Sequence, residues 1–407
     1  MKEKFAKFVK TLPMKIYIIL AAVFIFTFFS NDFGLVDIQK TAVILAAGLD
    51  RTDEGYHLTA QIAVPKGSDR NSCGTASIDI EGDGKTVSDC ITQIYGKTGW
   101  VPKLIFCNLL LIGEDTAKSE DIFDGLDFFL RNEYMQDSCF IAACEGTAKD
   151  MLTTVSAIDD TTSQSIEKIF SDAAVKAGTT VKSTLKDFAV SYYGKSKSGY
   201  MPFVRSIDQN CGADSGGGSG SSASGSGGGS ESGGSSQGEE QKKIYYANET
   251  ALFSEGKMVA LLTPEETFAF TLLQGNVFAG TMTAEEDGKP VTLSILSDEG
   301  KVSLSVKNKP KVTMSLRTKI RLFNRGVPAP IDDVSKSEIS DAVEANATER
   351  LTQYMTDLWQ TCLDSGCDLF LLNRNLYRSS PKKYAEWKET LLTSADLEIK
   401  VKIDKVK

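Results

Sequence analysis

Glu81-Gly82-Asp83-Gly84-Lys85-Thr86-Val87-Ser88-Asp89 decides how this chain is read. It contains Gly-Lys-Thr, and the triplet returns at Gly96-Lys97-Thr98. A phosphate-cradling loop ends in this way ahead of a helix, so the first question is whether the fold is a nucleotide-binding one. Such a loop also needs a glycine five positions before the glycine of the triplet. Those positions hold Asp79 and Ile91. A carboxylate there would repel the phosphate, and a β-branched residue resists the positive φ of the turn. The alternative is one helix with its start and stop. A short strand Ala76–Ile80 leads in, Gly82 and Gly84 make the turn, and Thr86 is the N-cap, answered by Asp89 three residues on. Val87, Cys90, Ile91, Ile94 and Tyr95 share a face, and Gly96 and Gly99 bracket the exit. No nucleotide and no other cofactor is expected.

Around this unit the first half alternates strands and helices. Residues 41–48 read as a buried strand, 50–55 as a turn and 56–64 as a half-buried partner by strict alternation. Residues 103–113 read as a third strand, 118–132 as a helix and 138–144 as a strand, with helices near 164–177 and 183–193. The chain's single histidine, His57, falls on the strand face opposite Leu58, Ala60, Ile62 and Val64 and reads as exposed; a metal site would need several convergent ligands.

Residues 215–236 are almost all glycine and serine, a composition that buries nothing and behaves as a coil reaching on the order of 25–30 Å. The expected organisation is therefore a basic segment and anchor over 1–35, a first domain over 36–212, a linker over 213–242 and a second domain over 243–407. The second domain opens with a hairpin, 243–253 and 257–262. Thr263-Pro264-Glu265-Glu266 follows as a capping box with Thr263 as N-cap and proline at the first helical position. Strands near 291–296, 302–307 and 312–322, a long helix from about Ser335 toward Leu363, shorter helices and a closing strand 397–403 complete it. The fold class is α+β: an α/β-type mixed sheet with helices, then an antiparallel sheet with a long helix, with room for a third subdomain.

The amino terminus carries Lys2, Lys4, Lys7, Lys10 and Lys15 ahead of an apolar run. Ile16, Tyr17, Ile18, Ile19, Leu20, Val23, Phe24, Ile25, Phe26, Phe28 and Phe29 make it a membrane anchor with the basic side in the cytoplasm. No small-x-small cleavage site and no nearby cysteine follow, so a retained single span is favoured over a cleaved signal. If residues 12–30 are helical, it reaches about 28 Å. Everything after Asp32 is then extracytoplasmic.

The net charge of −9 argues against nucleic acid as a partner. Eight cysteines show no local disulfide framework and no Cys-x-x-Cys, and read as buried thiols with room for one long-range bridge. No nucleophile, base and oxyanion arrangement stands out, and the carboxylate pairs Asp159-Asp160 and Asp332-Asp333 read as solvated loops. The chain does not read as an enzyme.

Several stretches in order resemble the Ger(x)C family, the C subunits of spore germinant receptors. They are Ala42–Asp50 with Glu54–Pro65, Glu81–Asp89, Lys103–Glu114, Phe128–Glu133, Gly146–Asp150, Glu249–Phe253 with Gly256–Val259, and the closing strand. The resemblance implies a non-enzymatic extracytoplasmic subunit at the spore inner membrane, required for nutrient-triggered germination. Its partners would be a multi-pass A subunit and a permease-like B subunit. Family members are normally lipoproteins; here Phe29-Ser30-Asn31-Asp32 stands where the lipid-bearing cysteine is expected. The competing reading is a membrane-anchored solute-binding or adhesive protein.

Overall fold

The chain is described by a computed structural model over residues 14–29, 41–64, 77–119, 121–208, 242–324 and 339–406. It opens with α1 (Met14–Phe29). Then β1 (Thr41–Thr52) and β2 (Gly55–Ala63) form an antiparallel pair, joined to β3 (Ser77–Gly84). Next come α2 (Val87–Thr98), β4 (Val101–Lys103), β5 (Leu109–Gly113), α3 (Glu114–Ala117), α4 (Phe123–Arg131) and β6 (Phe140–Cys144). Four short helices, α5 (Ala148–Thr153), α6 (Thr162–Ile169), α7 (Asp172–Lys176) and α8 (Leu185–Tyr192), precede β7 (Ser198–Asp208). The hairpin β8 (Lys243–Ser254) and β9 (Lys257–Leu262) follows.

All of these strands lie in one nine-stranded mixed sheet, ordered β3-β2-β1-β5-β6-β7-β8-β9 with β4 beside β1. Its two faces are covered by different residues of the same strands. Ala47, Leu49, Leu110 and Ile112 face one core, with Cys90 and Ile94 of α2, Leu126 and Phe129 of α4, and Phe188 of α8. Ala46, Leu109 and Leu111 face the other, with Met151 and Leu152 of α5 and Ile166 of α6.

This sheet crosses the boundary that the glycine-serine segment suggests. β8 and β9 lie after it in sequence, yet β8 pairs with β7 from Ser198↔Ser254 to Asp208↔Lys243. Asp208 and Lys243, described residues on either side of it, are thus paired in a ladder, so residues 209–242 connect two adjacent strands.

The second layer starts at α9 (Pro264–Leu273). Strands β10 (Thr281–Glu286), β11 (Lys289–Val306) and β12 (Pro310–Asn324) are antiparallel. Then come α10 (Asp341–Ser365), α11 (Leu372–Ser379), α12 (Pro381–Trp387), α13 (Leu391–Ser394) and β13 (Asp396–Lys405). Val343, Ala347, Leu351, Met355 and Leu358 of α10 fall at helical spacing and bury one stripe against Val291, Leu293, Val312 and Met314 of the sheet. Leu252 and Leu262 join the same core, so α9 and the β8–β9 hairpin weld the layers together.

Several expectations need correction. The apolar run 103–113 is two strands: the chain turns at Ile105-Phe106, both exposed, before Asn108 N–H bonds to Leu45 O at 3.0 Å. β2 is not half-buried; Thr59 and Gln61 on its second face are buried as well, under α5 and α6. The helix expected over 164–177 breaks at Phe170-Ser171, where Ser171 caps α7. The expected helix 118–132 is confined to Phe123–Arg131. The second sheet is not purely antiparallel, because β13 runs parallel to β12. The long helix begins at Asp341 with Ser340 as its cap, and the expected start near Ser335 lies outside the described residues.

Candidate functional site

Helix α1 carries the apolar run into the structure. Ile16, Tyr17, Ile18, Ile19, Leu20, Val23, Phe24, Ile25 and Phe26 are between 37 and 72 % exposed, and Phe28 and Phe29 complete the helix. Its sixteen residues rise about 24 Å, against about 30 Å of hydrocarbon in a bilayer. Among the described residues no helix is long and apolar enough to cross a membrane; Leu12, Pro13 and Ser30, which the expected 28 Å span includes, lie outside them.

At the Gly-Lys-Thr stretch two backbone donors at the helix start, those of Thr86 and Asp89, are engaged within the cap. Thr86 Oγ1 accepts from Asp89 N–H at 3.2 Å, and the Asp89 carboxylate accepts from Thr86 N–H at 3.1 Å. Gly82 and Gly84 are strand residues of β3 and not a turn. They are glycines because α2 lies on them: a Cβ on Gly82 would sit 2.4 Å from Cys90 O, and one on Gly84 2.5 Å from Asp89 Cβ. Gly99 takes φ 68° and donates to Tyr95 O, closing the helix.

His57 is not simply exposed. Its side chain is 14 % accessible, with Nδ1 2.6 Å from Asp83 Oδ1 and Nε2 3.6 Å from Glu81 Oε2, which Lys149 also reaches at 2.9 Å. The hydrogen bond with His57 holds the Asp83 carboxyl below the usual carboxylate range. No nucleophile completes the group: the nearby Cys90 thiol donates to Tyr56 O and Thr86 O, and burial pushes it up to about 11. Among the described residues no three His, Cys, Asp or Glu side chains converge to hold a metal ion.

The most elaborate polar constructions join elements distant in sequence. Asp50, at the end of β1, accepts from Ala148 N–H at 2.8 Å and Lys149 N–H at 2.9 Å, capping α5 from inside the core. Burial raises its pKa and those two N–H groups oppose the rise. Arg205 of β7 binds Glu249 of β8 and Glu145. Thr263 caps α9 in a capping box with Glu266, whose other carboxylate oxygen accepts from Thr361 of α10. Asp368 accepts from Leu372 and Asn373 N–H at 2.7 and 2.8 Å, and its own N–H donates to Ser198 Oγ at 3.0 Å. Only the Asp368–Ser198 contact joins the two layers, and the others tie elements within one layer. They hold a scaffold, and none leaves an unpaired reactive group aimed into a cleft. Sequence reasoning singles out neither Asp50 nor Asp368; the first follows an apolar run and the second precedes one, and only the fold shows what their carboxylates meet.

Comparison with known proteins gives a consistent result. Residues 35–206 match the family described as "Spore germination protein N-terminal domain", and residues 248–405 match "Spore germination B3/ GerAC like, C-terminal". Spore germination protein B3 of Bacillus subtilis (strain 168) is 23 % identical over 290 residues, which is 70 % of this chain and 68 % of the relative. The crystal structure of the GerBC protein superposes with a TM-score of 0.51 at 16 % identity, covering 91 % of this chain and 100 % of that one. The mixed α+β architecture with two sheets is thus a fold already seen in that protein.

Proposed function

The chain belongs to the Ger(x)C (GerAC-like) family of spore germination proteins, a family of non-enzymes, and from that premise we propose that it serves as the C subunit of a germinant receptor. The observation that carries this reading is that both family domains are matched in order and together take in about four-fifths of the chain. In this reading the two sheets form a rigid extracytoplasmic body, held at the spore inner membrane by the helix α1, with the basic segment before it on the cytoplasmic side. It works beside a multi-pass A subunit and a permease-like B subunit, and it is required for the response to nutrients.

The rival reading, a solute clamp of two hinged lobes, is disfavoured by the continuity of the large sheet. The ladder between β7 and β8 bridges the segment at which such lobes would hinge. Deleting the gene should abolish germination by particular nutrients and leave germination by a non-nutrient trigger intact. An epitope-tagged chain should co-purify from spore membranes with two multi-pass proteins. Normal nutrient germination of the deletion strain would overturn the proposal.

A further inference from the structure

β1, β4, β5 and β6 run parallel where they pair, so their starts point toward one end of the large sheet; β4 starts opposite Thr41, and β5 and β6 start opposite Ala46, about 17 Å further along β1. That end carries four exposed apolar and aromatic side chains. Trp100 immediately precedes β4, and Val101 is paired with Thr41, the first residue of β1. Ile105 and Phe106 form the exposed turn that leads into β5, and Tyr134 lies in the segment that leads into β6. The four side chains are between 36 and 55 % exposed. Two contacts bring the segment before β6 onto residues 103–105, which follow Trp100 in the chain: Gln136 Nε2 donates to Ile105 O at 2.6 Å, and Lys103 Nζ sits 3.8 Å from the centre of the Tyr134 ring.

The same end is where the chain arrives from α1. Eleven residues separate Phe29 from Thr41, which fully extended span at most about 40 Å. The opposite end of β1 is a further twelve residues along, about 40 Å. If α1 is held in a bilayer, the end carrying these side chains is the part of the fold tethered nearest to it.

We propose that this end of the sheet, formed by Trp100, Ile105, Phe106 and Tyr134 with Lys103, rests in the interfacial layer of the membrane that holds α1. The inference builds on the membrane anchoring proposed above. Its occupant is the lipid surface itself. Tryptophan and tyrosine, with an apolar ring and a polar handle, favour the headgroup level, and Lys103, its ammonium held over the Tyr134 ring, brings a positive charge to that level. Glu133 and Asp137 lie on the same segment as Tyr134; Asp137 is paired with Lys186 at 2.8 Å, which reduces its repulsion from anionic lipid. The contact fixes which end of the sheet faces the bilayer and turns the opposite end of β1, with the β1–β2 turn, away from it.

The test uses the full chain reconstituted in vesicles of phosphatidylcholine and phosphatidylglycerol brominated along their acyl chains. Flotation after an alkaline carbonate wash reports on α1, and tryptophan quenching reports on the sheet end. There are three tryptophans, and Trp359 is buried in the second layer. Interfacial seating of Trp100 should quench about a third of the emission, and Trp100→Phe or the double variant Ile105→Ser, Phe106→Ser should abolish that quenching without changing the melting temperature by more than a few degrees. Vesicles that carry the protein through the wash yet leave Trp100 unquenched would overturn the docking while preserving the anchor. Loss of flotation with no quenching would overturn both. Trp100 shielded from aqueous acrylamide in native spore membranes but not quenched in pure lipid would overturn lipid as the occupant in favour of a membrane protein.

Discussion

Gly82 and the carbonyl of Cys90 stand so close that a Cβ on the glycine would lie 2.4 Å from the oxygen, a distance no real side chain tolerates. That contact explains a motif that looks like half of a nucleotide loop. Because the obstruction is backbone, Gly82→Ala should lose about 2 kcal/mol or more in urea unfolding. Gly96 is different: it lies inside α2, and a Cβ there would meet nothing within 4 Å, so Gly96→Ala should gain about 0.5–1 kcal/mol. Thr86→Ala should cost about 1 kcal/mol through the lost cap. Millimolar ATP should leave the melting temperature unmoved.

The pairing Asp208↔Lys243 means that the thirty-four residues from 209 to 242 connect two strands that lie side by side. Closing a loop that long costs more entropy than closing a short one, by roughly 1.5–2 kcal/mol relative to five residues. Replacing residues 209–242 by a five-residue turn should therefore preserve the fold, as read by circular dichroism, and raise the stability by about that amount. A chain that fails to fold after the replacement would show that the segment's ends are not neighbours.

Asp298 carries a pH dependence whose sign can be worked out. It is 6 % exposed; Oδ1 accepts from Val277 N–H at 3.0 Å, while Oδ2 is buried with no protein partner. Burial pushes its pKa up to about 6 from the 3.8 of the unfolded chain. Between those values the folded state holds the proton more firmly, so this group's contribution is full below about pH 4 and is lost as pH rises toward 6. Asp298→Asn keeps an oxygen for Val277 and removes the charge. It should stabilise the chain at pH 7 by about 1–3 kcal/mol and have little effect at pH 4, where both forms are neutral. Urea midpoints of the two proteins across pH 4–7 would check this; curves that stay parallel would refute it.

Much of this fold can be read in the sequence, and what cannot has physical causes. The hairpin at Ser254-Glu255-Gly256 is legible because a tight turn needs positive φ, which Glu255 and Gly256 take at 51° and 83°. The stripe on α10 is legible because its period is helical. β7 escapes notice because Gly199 and Pro202 break a strand pattern; Gly199 is required by the Phe188 ring, 3.0 Å from where its Cβ would be, and Pro202 sits just before the bulge at Phe203/Arg205. The break in 103–113 is invisible because nearly every residue around it is apolar, so periodicity has little to register. The shared sheet is hidden for a different reason: composition marks a loop, and says nothing of whether its two ends meet.

Asp368 gives the sharpest probe of how the two layers are joined. Helix α11 starts after Leu371, held at φ 54°, whose side chain has no oxygen to offer the first N–H groups. Asp368 supplies both acceptors from three residues upstream, while Ser198 takes its own N–H and Ser196 Oγ takes the N–H of Arg374. The start of the second layer's α11 is thereby fastened to the residues that lead into β7. Asp368→Ala strands two N–H donors in a buried place and should cost about 2–4 kcal/mol. Ser198→Ala, which removes one neutral acceptor, should cost about 1 kcal/mol. The distinguishing measurement is amide exchange: Leu372 and Asn373 should lose protection in Asp368→Ala by more than the global loss of stability explains, since the helix start frays before the sheets part. Uniform loss of protection across α11 and β7 would mean that the carboxylate stabilises the whole body and is no local clasp between its layers.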